Sequence, residues 1–524
     1  VQGPNGDIWG STWYWSGNVN AGNYVLEIKD DVCTLEYPFT INSKAQRSVF
    51  VDGLNGSNSN SGVQSAPYSS IQHAINQACD RDTIFLLDGV ITEDSIVVDK
   101  DIIIASLYAR DDDSSHIANT VVDGNNQEAV FYVNVKTNNW NQPSDTAYKK
   151  FIGFTIKNGL KYAGLGGGVN VTRGNIVFRR MNFVNNEGSN GGAIQVNQDA
   201  GTILVDNSVF TENTAIQGSA FYARGGYFII KRSRFVRNVA SQHSTVSFDN
   251  WCCGQGGYVN DSKFYFNEAQ YYPIGEWKNW IDGQPRTISK NNVAIGNKAS
   301  SGSLLRIYSA SSGEVVLNNW VIVDNQWPSY RAMIEYNWMI LQLNHSTVSN
   351  NKGGKLFSLG EEAKLYVTNS ILEHSSDVLE VYSSQTPTTT KTYFSHVAWN
   401  SATPSNGTHS HVNNISLAGI YYADSSNGNY RLARTASVIG AGQASITMGN
   451  KTIVSTTKDV LGNSRPNPSG SNPDLGAYET VYLTPQVGIN ISVTNPTICD
   501  SLSGSVTSLL VNAVGNFTPT WKNY

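Results

Sequence analysis

Six of the twelve tryptophans, Trp251, Trp277, Trp280, Trp320, Trp327 and Trp338, fall between residues 251 and 338 of this 524-residue chain, together with Tyr258, Tyr271, Tyr272, Tyr330 and Tyr336. Flat rings of this kind stack on sugar faces or anchor a partner protein, and they equally cover a hydrophobic side of a fold. Trp251, Tyr271, Tyr272, Trp277, Trp280, Trp327 and Tyr330 are the candidate ligand contacts. Acid–base and metal chemistry is harder to find. Asp111-Asp112-Asp113 is the dense acidic run, and its Ser-flanked setting reads as a solvated loop rather than a calcium site. Asp52 to Gly62 has spaced oxygen donors and too few acids for a tight calcium loop. No nucleophile elbow, P-loop, dinucleotide fingerprint or HExxH zinc motif occurs. No cofactor is expected, and calcium is the one metal the acids leave open.

What must position these groups is a repeat. One phrase recurs from about residue 154: a small or polar residue, an apolar pair, two variable positions, then Asn. Asn182-Phe-Val-Asn-Asn186, Ser208-Val-Phe-Thr-Glu-Asn213 and Ser233-Arg-Phe-Val-Arg-Asn238 are three examples. The anchors Asn186, Asn213, Asn238, Asn267, Asn297, Asn325 and Asn350 are separated by 27, 25, 29, 30, 28 and 25 residues. Short strands at this period, with no helix between them, predict the coils of a right-handed parallel β-helix. Roughly a dozen coils would extend about 60 Å at the strand spacing. Each Asn is expected at a tight bend, where its amide tolerates αL geometry and bonds the next Asn along a ladder. The Phe, Val or Ile three residues earlier should point inward and stack. The widest anchor steps fall among the aromatics, and extra length in a solenoid goes into loops on one face.

The same register tests for paired carboxylates, which a glycoside hydrolase needs on neighbouring coils. The residues just before the anchors put Glu212 beside Arg237, with the next acid, Asp324, four coils from Glu212. The residues just after put Glu268 beside Lys298. Opposite charges of this sort stabilise a stack modestly, and neither row supplies an acid pair.

Both ends of a solenoid need covering. Ser70-Ile-Gln-His-Ala-Ile-Asn-Gln-Ala78 has the apolar spacing of an amphipathic helix with Ser69 or Ser70 as N-cap, and is the expected N-terminal lid, with His73 on its polar face. At the far end periodicity stops in Asp459-Val-Leu-Gly-Asn463 and Asp474-Leu-Gly-Ala-Tyr-Glu479. Charged residues are only 15% of the chain and the net charge is -5, which argues against a nucleic-acid groove and against disorder. No apolar run is long enough for a membrane helix. Five cysteines show no CxxC spacing; adjacent Cys252 and Cys253 are either two thiols or a strained vicinal disulfide.

Val49-Phe-Val-Asp-Gly-Leu-Asn-Gly, then Ala66-Pro67-Tyr68 and the lid helix, resemble the opening of secreted bacterial right-handed β-helix proteins. Asn190-Gly-Gly-Ala-Ile194 and Asp474-Leu-Gly-Ala-Tyr-Glu479 are similar to choice-of-anchor and polymorphic-outer-membrane-protein-like repeats. The flanks, Trp13 to Ile41 and Asn495 to Trp521, resemble the end and the beginning of an SprB-type repeat of Bacteroidota gliding-motility adhesins. The resemblance implies an all-β chain in three parts. Residues 1–44 would be the C-terminal part of an immunoglobulin-like sandwich, 45–480 the β-helix, and 481–524 the N-terminal part of a following sandwich. It further implies a cell-surface location outside the outer membrane, export by the type 9 secretion system, and neighbouring domains in one long chain. The ligand would be a polysaccharide or another surface. Thr83, Ser95, Thr146 and Ser501 sit in triplets resembling the O-glycosylation motif of that phylum. The expectation is thus a non-enzymatic adhesin module; a polysaccharide lyase or hydrolase on a β-helix scaffold, and a structural spacer, are the alternatives.

Overall fold

The structure, a computed structural model, describes residues 2–3, 6–7, 22–29, 34–41, 46–134, 149–197, 201–250, 256–279, 287–309, 313–337, 339–360, 362–375, 377–381, 390–399, 408–480, 488–494 and 505–511. Its centre is a parallel β-helix of right-handed type, and one coil shows the plan. Ile176–Arg179 lies on a first face, Asn182–Val184 on a second, Glu187–Asn190 on a third and Ile194–Val196 on a fourth. Thr202–Asp206 then stacks on the first again. Eleven strands stack on the fourth face, from Ile96–Val98 to Leu379–Val381. That is about 48 Å of stack at the spacing of parallel strands.

Register is kept residue for residue, so one sequence position becomes one line along the molecule. Phe183, Phe210, Phe235 and Phe264 are all inward and fully buried, with rings 4.7, 4.9 and 4.8 Å apart in succession. Between the second and third faces runs the asparagine ladder. Asn238 Nδ2 donates to Phe210 O at 3.0 Å and to Asn267 Oδ1 at 3.0 Å, and its backbone N–H donates to the same Oδ1 at 3.0 Å. The pattern repeats from Asn186 through Asn325, whose N–H and Nδ2 both donate to Asn351 Oδ1. Each rung satisfies backbone groups that a buried corner would otherwise leave unpaired.

Two details differ from expectation. The αL residue is the one before each rung: Asn185, Glu212, Arg237, Phe266, Gly296 and Asp324 have φ between 50° and 68°. That twist is what turns the following Asn inward. At Gly296 an added Cβ would meet the Phe266 ring at 2.4 Å, so this corner takes glycine. The last rung is also Asn351 rather than Asn350. Asn350 takes the αL position with φ 52° and donates to Asp324 Oδ1.

A second ladder, not anticipated from the sequence, runs along the corner between the first and second faces. Met181, Ser208 and Ser233 donate their backbone N–H groups to Ser208, Ser233 and Ser262 Oγ in turn, and each hydroxyl donates to the carbonyl two residues back. Ser346 and Ser370 continue it.

The helix α1, Ile71–Gln77, is capped by the Ser70 hydroxyl, which accepts from His73 N at 3.2 Å. Ile71, Ala74 and Ile75 are buried in the core beside Val51, Ile84 and Ile96. The last stacked strand is Thr408–Val412, and coil pairing ends just beyond it with a parallel bridge from Ala398 to Ile415. From there to Thr480 the chain returns as a strap along the outer side of the second face and the adjoining part of the first. Tyr430 and Ala477 pack on Val321 and Val323, Ile446 and Ile453 on Tyr366, and Val438 and Leu475 on Ile371. The stretch Asp474 to Glu479 is its clasp. Arg465, with a fully buried side chain, bonds Glu479 Oε2 at 3.0 Å and Asn319 Oδ1 at 3.0 Å, while Asp459 and Asp474 accept from surrounding backbone N–H groups.

Outside the coils, Gln2–Gly3, Gly6–Asp7, Gly22–Lys29 and Thr34–Ile41 form an antiparallel sheet, and Gly488–Thr494 pairs antiparallel with Ser505–Val511. No helix among the described residues is long and apolar enough to cross a membrane. Thr83 is 8% exposed and accepts from Gln46 Nε2, so its hydroxyl is not open to a glycan; Ser95 is exposed with φ 56°. Thr146, Ser501, Cys252 and Cys253 lie outside the described residues.

Candidate functional site

On the fourth face each strand has the form apolar–X–apolar, and the flanking residues fill the core. The middle residue therefore points outward. Register lines these up as Gln195, Tyr222, Ser247, Glu276, Arg306, Glu335 and Ser358, on successive coils. The centre of this column carries a charged sequence that no other part of the face repeats: acid, guanidinium, acid.

Glu276 lies outward yet its side chain is only 2% exposed, because its neighbours close over it. His243, at the turn into the preceding strand of this face, places Nδ1 3.2 Å from Oε2. Arg306 places Nη1 3.4 Å from Oε1. The Arg306 guanidinium also lies over the Tyr272 ring, 5.6 Å from its centroid. Tyr271 stands 6.0 Å from the His243 ring and 5.9 Å from Tyr272. Burial pushes the Tyr272 hydroxyl up to about 12; Arg306 pulls it back, and Glu335 and Glu276 add to the rise. That phenol is a neutral hydrogen-bond donor at ordinary pH. Glu335, a quarter exposed, is reached by Arg331 Nη1 at 3.5 Å.

The arrangement can move protons. A buried carboxylate on one imidazole nitrogen fixes the ring and leaves Nε2 for a substrate, as in any carboxylate–histidine dyad. Glu276 and Glu335 are two strand steps apart, about 10 Å along the stack, with Arg306 on the strand between them. Arg306 between them is placed to hold negative charge that develops on a substrate. Among the described residues no group of three or more His, Cys, Asp or Glu side chains is placed to hold a metal.

The aromatic candidates divide sharply. Tyr271 and Tyr272 belong to this cluster, and Tyr330 stands at its rim, 71% exposed, with the Arg331 guanidinium 5.8 Å from its ring centroid. Trp277 points the other way. It is 9% exposed and packs inside the coil between Phe248 and Trp320, since alternation puts it inward next to outward Glu276. Trp327 is 3% exposed, donates to Arg331 O at 3.1 Å and stacks on His374 at 5.5 Å. Both are packing residues. Trp251 and Trp280 lie outside the described residues.

No known family matches the sequence, and no curated protein matches it. Solved structures do. The pectate lyase Pel9A is 17% identical over 83% of this chain and 97% of its own, with a TM-score of 0.43. A rhamnogalacturonan lyase is 10% identical, over 72% and 92%, at 0.28. The catalytic domain of a GH87 α-1,3-glucanase, solved with nigerose, is 12% identical, over 72% and 71%, at 0.31. The likeness is one of coil architecture. The expectation of a non-enzymatic module is corrected here: the three similar structures are a pectate lyase, a rhamnogalacturonan lyase and a glucanase.

The carboxylates missed from the sequence were within its reach. Nine residues past Asn267 and Asn297 lie Glu276 and Arg306, and ten past Asn325 lies Glu335. The residues adjoining the anchors lie on another corner, so the two rows beside the asparagines contain none of these three.

Proposed function

We propose that this chain is a glycan-active enzyme whose acid–base centre is His243, Glu276, Arg306 and Glu335 on the outer fourth face. The observation that carries the reading is Glu276, a nearly inaccessible carboxylate on an outer surface, held between an imidazole and a guanidinium. Elsewhere on the same column the outward residues are neutral or singly charged without such a setting. A stepped face with half-buried Tyr271 beside the charged centre and exposed Tyr330 at its rim suits an extended, hydroxyl-rich polymer, whose rings stack on aromatics while its hydroxyls meet polar side chains. The similar structures named above act on glycans as well, and the site itself carries the reading. Extracellular location, immunoglobulin-like flanks and a lid role for α1 belong to the same proposal, on the sequence resemblances given above.

The test is release of new chain ends from a panel of plant, algal and bacterial polysaccharides, with and without calcium. Reducing ends alone report hydrolysis; unsaturated ends report elimination. Glu276→Gln and His243→Ala should each lower the rate by about a hundredfold or more, the usual range for a positioned acid–base group. Absence of release across the panel, or variants that keep the wild-type rate, would overturn the assignment.

A further inference from the structure

The strap contains a cavity of about 740 Å³, inside the range of ligand sites, that the fourth-face centre does not use. Arg431 and Arg434 line it from one side, with Tyr478, Thr480, Asn429 and Leu461 around them. Neither arginine has an ion pair among the described residues, whereas Arg465, buried in the adjoining clasp, is paired with Glu479. Glu479 also reaches the cavity wall, but its two oxygens are already engaged, Oε1 by Asn467 N and Oε2 by Arg465 Nε and Asp474 N. Asp459 and Asp474 are likewise saturated by backbone N–H groups and Asn463. Two forked donors thus line one space, and among the described residues no free carboxylate of its wall is left to pair them. Thr480 contributes to the wall, while its hydroxyl is itself enclosed. Tyr478 adds a phenol that burial keeps neutral, raised to about 12.

We infer that this cavity binds an oxyanion, a carboxylate or sulfate group carried on a sugar. Guanidinium forks grip planar or tetrahedral oxyanions through paired hydrogen bonds, and the Tyr478 phenol adds a further donor. The sugar part of the inference rests on the proposed function; the oxyanion part stands on the cavity alone. The site would give a charged polymer a second attachment on a different face from the chemistry, which raises its effective concentration there.

The experiment is calorimetric titration of the full chain carrying Glu276→Gln, so that turnover does not confuse binding. Three trisaccharides serve as probes: one bearing glucuronate, one bearing sulfate and one neutral. At least one charged probe should bind ten times more tightly than the neutral one, more weakly in high salt, and the tighter charged probe identifies the oxyanion. Adding Arg431→Gln and Arg434→Gln should lower that affinity at least tenfold. Equal binding of all three probes, or unchanged affinity in the arginine variants, overturns the inference. Lowered thermal stability with unchanged affinity would also overturn it, because the arginines would then serve only to balance the clasp acids. Charged-probe binding that disappears in the arginine variants stands even if no polysaccharide in the panel is cleaved, so the two readings fail separately.

Discussion

Two lines of residues run along the same coils at the same rise and differ in one respect. The corner between the second and third faces repeats a residue type, Asn, from 186 to 351, and every rung makes the same hydrogen bonds. The outer line of the fourth face repeats only a position, and its residue changes at every coil through Gln195, Tyr222, Ser247, Glu276, Arg306 and Glu335. Stacking explains the difference. A rung inside the corner must satisfy its neighbour's backbone as well as its own, so only one side chain fits. An outward residue owes its neighbours nothing, so its identity is open to be set by chemistry.

The sharpest way to break this contrast is to exchange one residue in each line. Asn267→Ala removes the acceptor of Asn238 N–H and Nδ2, and the donor to Phe235 O and Asn297 Oδ1, all at fully buried positions. Buried groups left unpaired cost about 1–3 kcal/mol each, so the loss should be about 3–6 kcal/mol by urea denaturation. Ser358→Ala, half-buried on the outer line, should stay within about 0.5 kcal/mol. Similar losses for the two would mean that the ladder has no special claim on stability.

A smaller effect tests the neighbouring corner, between the first and second faces. Its αL residues in the C-terminal coils include Asn291, Asn319, His345, Asn369 and His396, with His345 at φ 47°. His345 is fully enclosed beneath the strap, bonded to Ser455 Oγ and Asn369 Nδ2. Burial first, and the Arg465 charge second, hold its pKa well below the ordinary 6.5. A histidine with a depressed folded pKa contributes stability above 6.5 that is lost as pH falls below it, because the unfolded chain takes the proton and the folded one does not. Stability should therefore decline on acidification from about pH 6.5, by at most about 1.4 kcal/mol per unit for this one proton. His345→Asn, the residue of its neighbours, should flatten that slope, leaving the shares of His374, His396 and His411, which burial also lowers. An unaltered slope would place the acid sensitivity elsewhere.

How much was legible follows the same division. The period, the inward phenylalanines and the anchors through Asn325 could be read because each is a repeated residue type. Asn350 was mistaken for Asn351 because two asparagines adjoin there, and only the αL twist decides which turns inward. The candidate centre was hidden because its residues share a register and no type. Composition marks Trp277 and Trp327 as candidate contacts or packing residues alike, because it does not say which side of a strand an aromatic occupies. The strap was unreadable for a different reason: its contacts, such as Arg465 with Asn319 across 146 residues, follow no period.

The smallest expected effect on stability is the most informative about function. Tyr330 is 71% exposed and touches the centre only through Arg331, whose guanidinium lies over its ring and reaches Glu335. Tyr330→Ala removes no core contact, so the unfolding free energy should shift by less than about 0.5 kcal/mol. If a sugar ring stacks there, the loss of about 1 kcal/mol of contact should raise KM roughly fivefold and leave kcat in place, because a rim contact holds substrate and transition state alike. A fall in kcat would instead mean that Tyr330 fixes Arg331 and, through it, the carboxylate of Glu335. No change in either constant would confine the bound polymer to the tyrosines on the His243 side. Each result separates what the outer line does for the fold from what it does for a ligand, a distinction that the uniform ladder, whose every residue serves the fold, cannot supply.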